Sequence, residues 1–543
     1  MSNASFSVPT PYNEPVKAYT PGSPDREAIL RKLEELRAQD IEIPLIIGGT
    51  EIKTGDTVAI HPPHDHQAQL GVYHKGGKKE VEQAIEAALE ARKTWAEMPW
   101  EHRVSIFLKA ADLLAGPCRS TVNAATMLGQ SKTVYQAEID AACELIDFWR
   151  FNCYFMAQLM GDQPDSPPGY WNRCEYRPLE GFVLAVSPFN FTSIAGNLPT
   201  APAMVGNVVL WKPASTAVYS NYYLMKVLQE AGLPGGVINF LPGSGSNIGD
   251  PALTSPELAG IHFTGSTAVF QSMWKKIGDN ISRMKYYPRI VGETGGKDFI
   301  FAHQSAKVKP LVVAAIRGAF EYQGQKCSAA SRMYIPVSIW PQFREMYLAE
   351  TAKIRIGSPE DFTNFMTAII DKSAFENIKA YIDYAKESDE AEIISGGTCD
   401  DSKGYFIEPT TIVTTNPRFR TMEEEIFGPV LTIFVYEDEQ FEETLALCDQ
   451  TSPYALTGAI WAQDRAALVT MSNALRNAAG NIYINDKPTA AVVGQQPFGG
   501  ARTSGTNDKA GSQINMLRWM SVRAMKETLV PPEDWRYPFM SGD

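Results

Sequence analysis

Apolar positions recur in two rhythms along this chain, and the rhythm changes near residue 181. Before it the spacing is helical. Ile29, Leu30, Leu33 and Leu36 predict a helix that ends a polar arm over residues 5 to about 45. Val81, Ala84, Ile85, Ala88 and Leu89 mark one face of a second helix. A third is expected from about Val104 to Ala115, stopped by Gly116-Pro117, and a longer one, with acids interspersed, through Ala137 to Phe155. After residue 181 short apolar runs appear at Phe182–Val186, Val208–Trp211, Val237–Leu241, Ile261–Phe263 and Phe299–Phe301. Each reads as a buried strand, and helical segments separate several of them. One such segment, Ser215 to Ala231, opens on Ser215-Thr216 and closes on Gly232 and Pro234. Strand–helix–strand units of this size predict an α/β protein with a parallel, doubly wound sheet of dinucleotide-binding type. A second α/β region begins near Lys297, with a helix over Leu311–Tyr322 and strands near Val430–Val435, Ala459–Trp461 and Asn481–Asn485.

Length and composition narrow this picture. At 543 residues the chain exceeds a single compact core, so two or more domains are expected. A net charge of -13 argues against a nucleic-acid partner, while leaving room for a local basic pocket. Seven widely spaced cysteines without a C-x-x-C pair fit a reducing compartment and predict neither a disulfide framework nor a metal site. The first thirty residues lack an apolar signal core, and no run approaches the roughly 18 apolar residues of a membrane helix. The expected location is the cytoplasm, or the mitochondrial matrix for a processed eukaryotic form. Ser2-Asn3-Ala4 is set aside from fold reasoning. Trp535, Tyr537 and Phe539 set aromatics among prolines at the C-terminus and predict packing on another subunit.

Candidate chemistry starts at Phe320–Ala329, F-E-Y-Q-G-Q-K-C-S-A, where Cys327 sits in a polar loop beside a lysine. Backbone N–H groups and that lysine are expected to favour the thiolate. An isolated Q-x-C triplet reads as a buried cysteine. Three more strings change that: S-P-F-N-F at Ser187–Phe191, G-E-T-G-G-K at Gly292–Lys297 and E-I-F-G-P at Glu425–Pro429. Together and in this order they resemble the aldehyde dehydrogenase family. The resemblance implies Cys327 as nucleophile, Asn190 as oxyanion donor and Glu293 as the base for a hydrolytic water. It places a nicotinamide cofactor against F-T-G-S, with Gly265 and Ser266 at the pyrophosphate, Lys212 at the adenosine ribose, and Glu425 with Phe427 at the nicotinamide end. Ser215 stands where many NAD-preferring members carry an acid. NAD is the expected cofactor and NADP the lesser alternative. Gly295 and Gly296 are expected to let the backbone approach the cofactor.

Longer strings, among them N-E-P-V at Asn13–Val16, Q-A-E-I-D-A-A-C-E-L-I-D-F at Gln136–Phe148 and V-G-Q-Q-P-F-G-G-A-R at Val493–Arg502, resemble the branch that oxidises L-glutamate γ-semialdehyde, the Δ1-pyrroline-5-carboxylate dehydrogenases. That branch implies a small-molecule substrate whose carboxylate meets Ser328 and the backbone N–H groups of Ala490 and Ala491. Phe191 and Phe498 would sandwich its stem, and Glu144 would line the site. It further implies a homo-oligomer and transient contact with proline dehydrogenase. The corresponding layout is a Rossmann-type cofactor domain over 1–160 and 181–296, a catalytic domain over 297–486, a substrate-anchor segment over 487–511, and an oligomerisation arm and tail over 161–180 and 512–543. A dehydrogenase for another small aldehyde and a non-catalytic binding protein are the alternatives. Retention of Cys327, Glu293 and Asn190 speaks against the latter.

Overall fold

The computed structural model describes residues 6–540 and 542; Ser2-Asn3-Ala4 lie outside them. Two seven-stranded sheets organise the chain. In the first, Arg289–Glu293, Leu258–Thr264, Phe182–Val186, Val208–Lys212 and Ile238–Phe240 run parallel, and the hairpin Leu45–Ile47/Thr50–Ile52 adds an antiparallel edge. The buried run Val208–Lys212 and its neighbours form strands because both faces are covered, which favours continuous apolar stretches over alternation.

The second sheet contains Asp298–Ala302, Ala330–Pro336, Thr410–Thr414, Val430–Tyr436, Thr457–Trp461 and Asn481–Ile484 in parallel, with Ala391–Ser395 antiparallel at one edge. Its strands show the period of two expected of side chains that point to opposite faces. Phe299 and Phe301 pack into one core, Ile300 and Ala302 into another.

The predicted helices form at Pro24–Arg37, Lys78–Trp95 and Trp100–Ala115. Two expectations need correction. The long helix is not uniformly α: between Val134–Ala137 and Leu145–Gly161, residues Glu138–Glu144 are wound as a π-helix. Ser215 and Thr216 open a 3₁₀ turn, Ser215–Ala217, and the α-helix itself begins at Val218 and ends on left-handed Gly232.

Register explains where a site forms. Val186 pairs with Lys212, Phe263 with Val186 and Thr264 with Glu293, so these carboxyl ends share one rim of the first sheet. Asp298 pairs with Ala330 and Thr410 with Val430, so Cys327 and the Glu425–Phe427 turn immediately precede the amino ends of the second. A crevice at the carboxyl ends of parallel strands is where α/β sheets bind ligands. Tyr170–Pro178 and Met520–Thr528 pair separately as a nine-residue antiparallel ribbon.

Candidate active site

A cavity of about 470 Å³ opens between the two rims. Cys327, Glu293, Glu144, Phe191, Ser328, Ala490, Ala491 and Phe498 all line it. Chain segments more than 300 residues apart therefore converge on one volume.

The loop that presents Cys327 is held in an unusual shape. Its helix, Val308–Phe320, ends two residues earlier than expected, because Tyr322 and Gln323 take left-handed angles (φ 51° and 55°). Such positions cost of order 1–3 kcal/mol each and persist only where the surroundings fix them. Here Tyr322 donates to the Gln130 carbonyl at 3.1 Å, and Gln323 Nε2 donates to Thr367 Oγ1 and the Ala368 carbonyl at 2.9 and 2.8 Å. Gln325 Oε1 accepts the Ile370 N–H at 2.9 Å. Gly324 is required, since a Cβ there would stand 2.2 Å from the Gly428 carbonyl.

The electrostatics correct one expectation. Lys326 does not serve the thiol: its ammonium is 3.1 Å from Glu321, which Lys487 also approaches at 3.4 Å. Burial pushes the Cys327 thiol well above its ordinary range, and Glu293, Asp298, Glu425 and Glu144 add to the shift. Part of the residue faces the cavity, yet protein and acids surround it at longer range.

Glu293 ends its strand with its carboxyl pushed up to about 8 by burial, an effect Lys509 partly opposes. Glu144, the last π-helical residue, is likewise raised to about 8 by burial and then by Asp140. Asn190 donates from Nδ2 to the Gln325 carbonyl at 3.0 Å, which ties it to the stretch just before Cys327. Ala490 and Ala491 lie on a loop, and among the described residues their N–H groups have no protein acceptor. Phe498 exchanges backbone bonds with Ala510 at 3.1 and 2.7 Å.

The cofactor candidates lie on both rims, Lys212, Gly265 and Ser266 at the first sheet and Glu425 with Phe427 ahead of the second. Lys212 is buried, its ammonium has no hydrogen-bonded or ion-paired partner among the described residues, and burial pushes it down to about 8. Ser266 caps the fourteen-residue helix Thr267–Asn280, leaving its N-terminus as an anion-favouring end. Gly265 donates to the Glu293 carbonyl at 3.2 Å. Glu425 Oε1 accepts the Gly296 N–H at 2.8 Å, and burial lifts its carboxyl to about 7. Phe427, at φ 58°, packs edge-on against Phe189. An unpaired buried cation and a helix N-terminus on the first rim, with an under-bonded carboxylate on the second, fit a nicotinamide dinucleotide, whose pyrophosphate and riboses would use each. Ser215 does not line this cavity; its hydroxyl is 3.5 Å from the Gly243 carbonyl and it borders a different one. The role expected of Gly295 and Gly296 also changes. A Cβ at Gly296 would stand 2.1 Å from the Cys327 carbonyl, so the chain's own packing demands glycine there, whereas at Gly295 it would meet the carboxylate end of Glu425.

Several cavity residues were not foreseen. Lys509 donates to the Gly480 and Gly499 carbonyls at 2.8 and 3.0 Å and faces Glu293. Asn13 and Glu14 reach the cavity from the N-terminal arm. Outside the cavity lining, Lys297 Nζ and Asp298 Oδ2 are buried without partners next to Gly296, and burial holds Lys297 down to about 7. No local pattern announces Lys509, whereas Asn13 and Lys297 fall inside strings already singled out.

Residues 51–525 match the model of the Aldehyde dehydrogenase family. The chain is 53% identical over 540 residues to a mitochondrial Delta-1-pyrroline-5-carboxylate dehydrogenase of Dictyostelium discoideum, covering 99% of this chain and 97% of that protein. It is 54% identical over 538 residues to the Delta-1-pyrroline-5-carboxylate dehydrogenase of Agaricus bisporus, covering 98% of each. Among solved structures, the Delta-pyrroline-5-carboxylate dehydrogenase of Mycobacterium tuberculosis bound with NAD superposes with a TM-score of 0.97 at 51% identity, covering all of both chains.

Proposed function

Because the chain belongs to the aldehyde dehydrogenase family, we propose from its site and its relatives that it oxidises L-glutamate γ-semialdehyde, in equilibrium with 1-pyrroline-5-carboxylate, to L-glutamate with NAD, the second step of proline breakdown. One observation carries the reading. Cys327, Glu293 and a loop with two free backbone N–H groups border the same 470 Å³ space, so a nucleophile, a base and a carboxylate anchor share one substrate.

The Cys327 sulfur, once ionised, bonds to the aldehyde carbon and the carbonyl oxygen becomes an alkoxide. Asn190 Nδ2, whose second N–H has no protein acceptor, and the Cys327 N–H are the donors for that charge. Each donor of this kind is worth about 3–4 kcal/mol of the barrier. Bound NAD supplies the acceptor for the hydride, which leaves a thioester on Cys327. Glu293 takes a proton from water as its oxygen attacks the thioester carbon, the C–S bond breaks, and free acid departs. An acid at position 293 favours hydrolysis over transfer to a second thiol. The substrate's carboxylate is assigned to Ser328, Ala490 and Ala491, its stem to Phe191 and Phe498, and its ammonium end to the neighbourhood of Glu144. NAD is assigned to Lys212, Gly265, Ser266, Glu425 and Phe427, with Ser215 peripheral.

The domain layout given above is retained as part of this reading, as are a homo-oligomer built through the 161–180 and 512–543 arm and transient contact with proline dehydrogenase. Seven free cysteines support a reducing compartment, the cytoplasm or the mitochondrial matrix. Among the described residues no helix is long and apolar enough to cross a membrane.

The test follows reduced-nicotinamide absorbance with pyrroline-5-carboxylate, NAD and NADP in parallel. Turnover with NAD is expected to exceed that with NADP, and Cys327→Ser should lower kcat by roughly 10⁴-fold or more. Higher efficiency on propanal or succinate semialdehyde would favour the alternative of another small aldehyde, and full turnover by Cys327→Ser would remove the assigned nucleophile.

A further inference from the structure

The string N-E-P-V at Asn13–Val16 has no role in the chemistry above, yet Asn13, Glu14 and Val16 line the same cavity as Cys327. The segment is fixed there by polar bonds. Asn13 Nδ2 donates to Asp147 Oδ2 at 2.8 Å and to the Val493 carbonyl at 2.7 Å. Asn13 Oδ1 accepts from Gln495 Nε2 at 2.9 Å. Glu14 N–H donates to Asp147 Oδ1 at 2.7 Å, and the Glu14 carboxylate pairs with Arg119 and Arg150 at 2.5 and 2.8 Å. One amide side chain therefore joins the helix Leu145–Gly161 to the loop that follows Ala490 and Ala491.

That loop has little else to hold it by hydrogen bonds. Its bonds from Val492 to Gln496 are internal: the Gln495 and Gln496 N–H groups reach the Val492 carbonyl at 3.0 and 3.1 Å, and Gln496 Oε1 accepts the Val492 N–H at 3.0 Å. Among the described residues, Asn13 makes both side-chain hydrogen bonds between the 492–496 turn and the rest of the chain. An anchor formed by backbone N–H groups works only if their direction is fixed beforehand.

We propose that the Asn13–Val16 segment is part of the substrate site, with Asn13 a positioning residue that aims the 490–491 N–H groups at the substrate's carboxylate. The inference rests on the substrate assigned under Proposed function. It makes the N-terminal arm a determinant of which aldehyde is accepted, acting through the loop and not on the reacting carbon.

The test uses the full-length protein and two readouts. Asn13→Ala and Asn13→Asp both lose the donated bonds, the latter while keeping the acceptor for Gln495. Each should raise KM for glutamate semialdehyde roughly tenfold with little change in kcat, lowering selectivity over propanal. Hydrogen–deuterium exchange over residues 488–497 should quicken in both, and Gln495→Ala should give a smaller shift. Exchange unchanged in Asn13→Ala overturns the tether. An equal loss of kcat/KM on both aldehydes, or a fall in kcat alone, overturns the specificity role. A parent protein without preference for the semialdehyde would sink the assigned substrate instead, and the exchange comparison would still decide whether Asn13 holds the loop.

Discussion

Glu293 opposes the ionisation of Cys327. Among the charges that raise the Cys327 thiol, Glu293 contributes most after burial, and Glu293 is itself raised to about 8. A general base acts in its ionised form, so its active fraction grows as pH rises from 7 to 9 and levels off above. Thioester hydrolysis, read by single-turnover release of acid, is expected to follow that rise. Glu293→Gln should lower it by about 10²–10⁴-fold and abolish the limb near pH 8. The same variant should alkylate faster at Cys327 than the parent at pH 9, because the largest opposing charge is gone; slower or equal labelling by mass spectrometry would refute this coupling. Residue identities at the site were legible because chemistry requires particular side chains close to Gly-rich turns, as in Glu293-Thr294-Gly295-Gly296. Their ionisation was not. Lys326 adjoins Cys327 in sequence, but Glu321 claims it, and burial, with four acids from other segments adding to it, raises the thiol.

At the scale of elements, the π-helical stretch Glu138–Glu144 supports the oxyanion loop. Asp140 pairs with Lys132 at 2.7 Å, both buried, and accepts the Thr192 and Ser193 N–H groups at 3.0 and 2.9 Å. It thereby caps the helix Thr192–Met204 that follows Asn190 and Phe191, and Lys132 sits 4.4 Å from the centre of the Phe191 ring. Removing one member of a buried pair costs about 3–5 kcal/mol because the other is left charged and unpaired. Asp140→Ala should therefore lower the melting temperature measurably and reduce kcat through Asn190. Replacing Lys132 and Asp140 together by Met and Leu should cost less than the two single changes summed. A strictly additive double variant would show that pairing is not the dominant contribution. The π-turn was not legible, since one extra residue per turn leaves the acidic and apolar spacing from Ala137 to Phe155 still looking helical. The buried strands were legible, because a run such as Phe182–Val186 stays apolar at every position when helices cover both faces of its sheet.

For the whole molecule, the cavity and the proposed association surface are separate. No residue of the ribbon Tyr170–Pro178/Met520–Thr528 or of the tail after it lines the cavity, and both present apolar groups to solvent. Trp171 is 54% exposed, Val522 46%, Val530 82%, Trp535 79% and Phe539 83%. Apolar surface of this extent on a two-stranded ribbon is characteristic of a surface that another subunit covers. Light scattering should therefore give the parent a mass of at least two 59.9 kDa chains. Val522→Asp, or removal of residues 531–543, should shift it toward one chain, because a charge or a gap at the contact leaves the partner's apolar groups without cover. A parent that runs as a single chain would overturn the surface. Turnover is the complementary readout: with no ribbon or tail residue on the cavity wall, dissociated protein should still oxidise its aldehyde, and loss of activity in step with dissociation would mean that a second subunit orders the 490–496 loop or the cofactor rim.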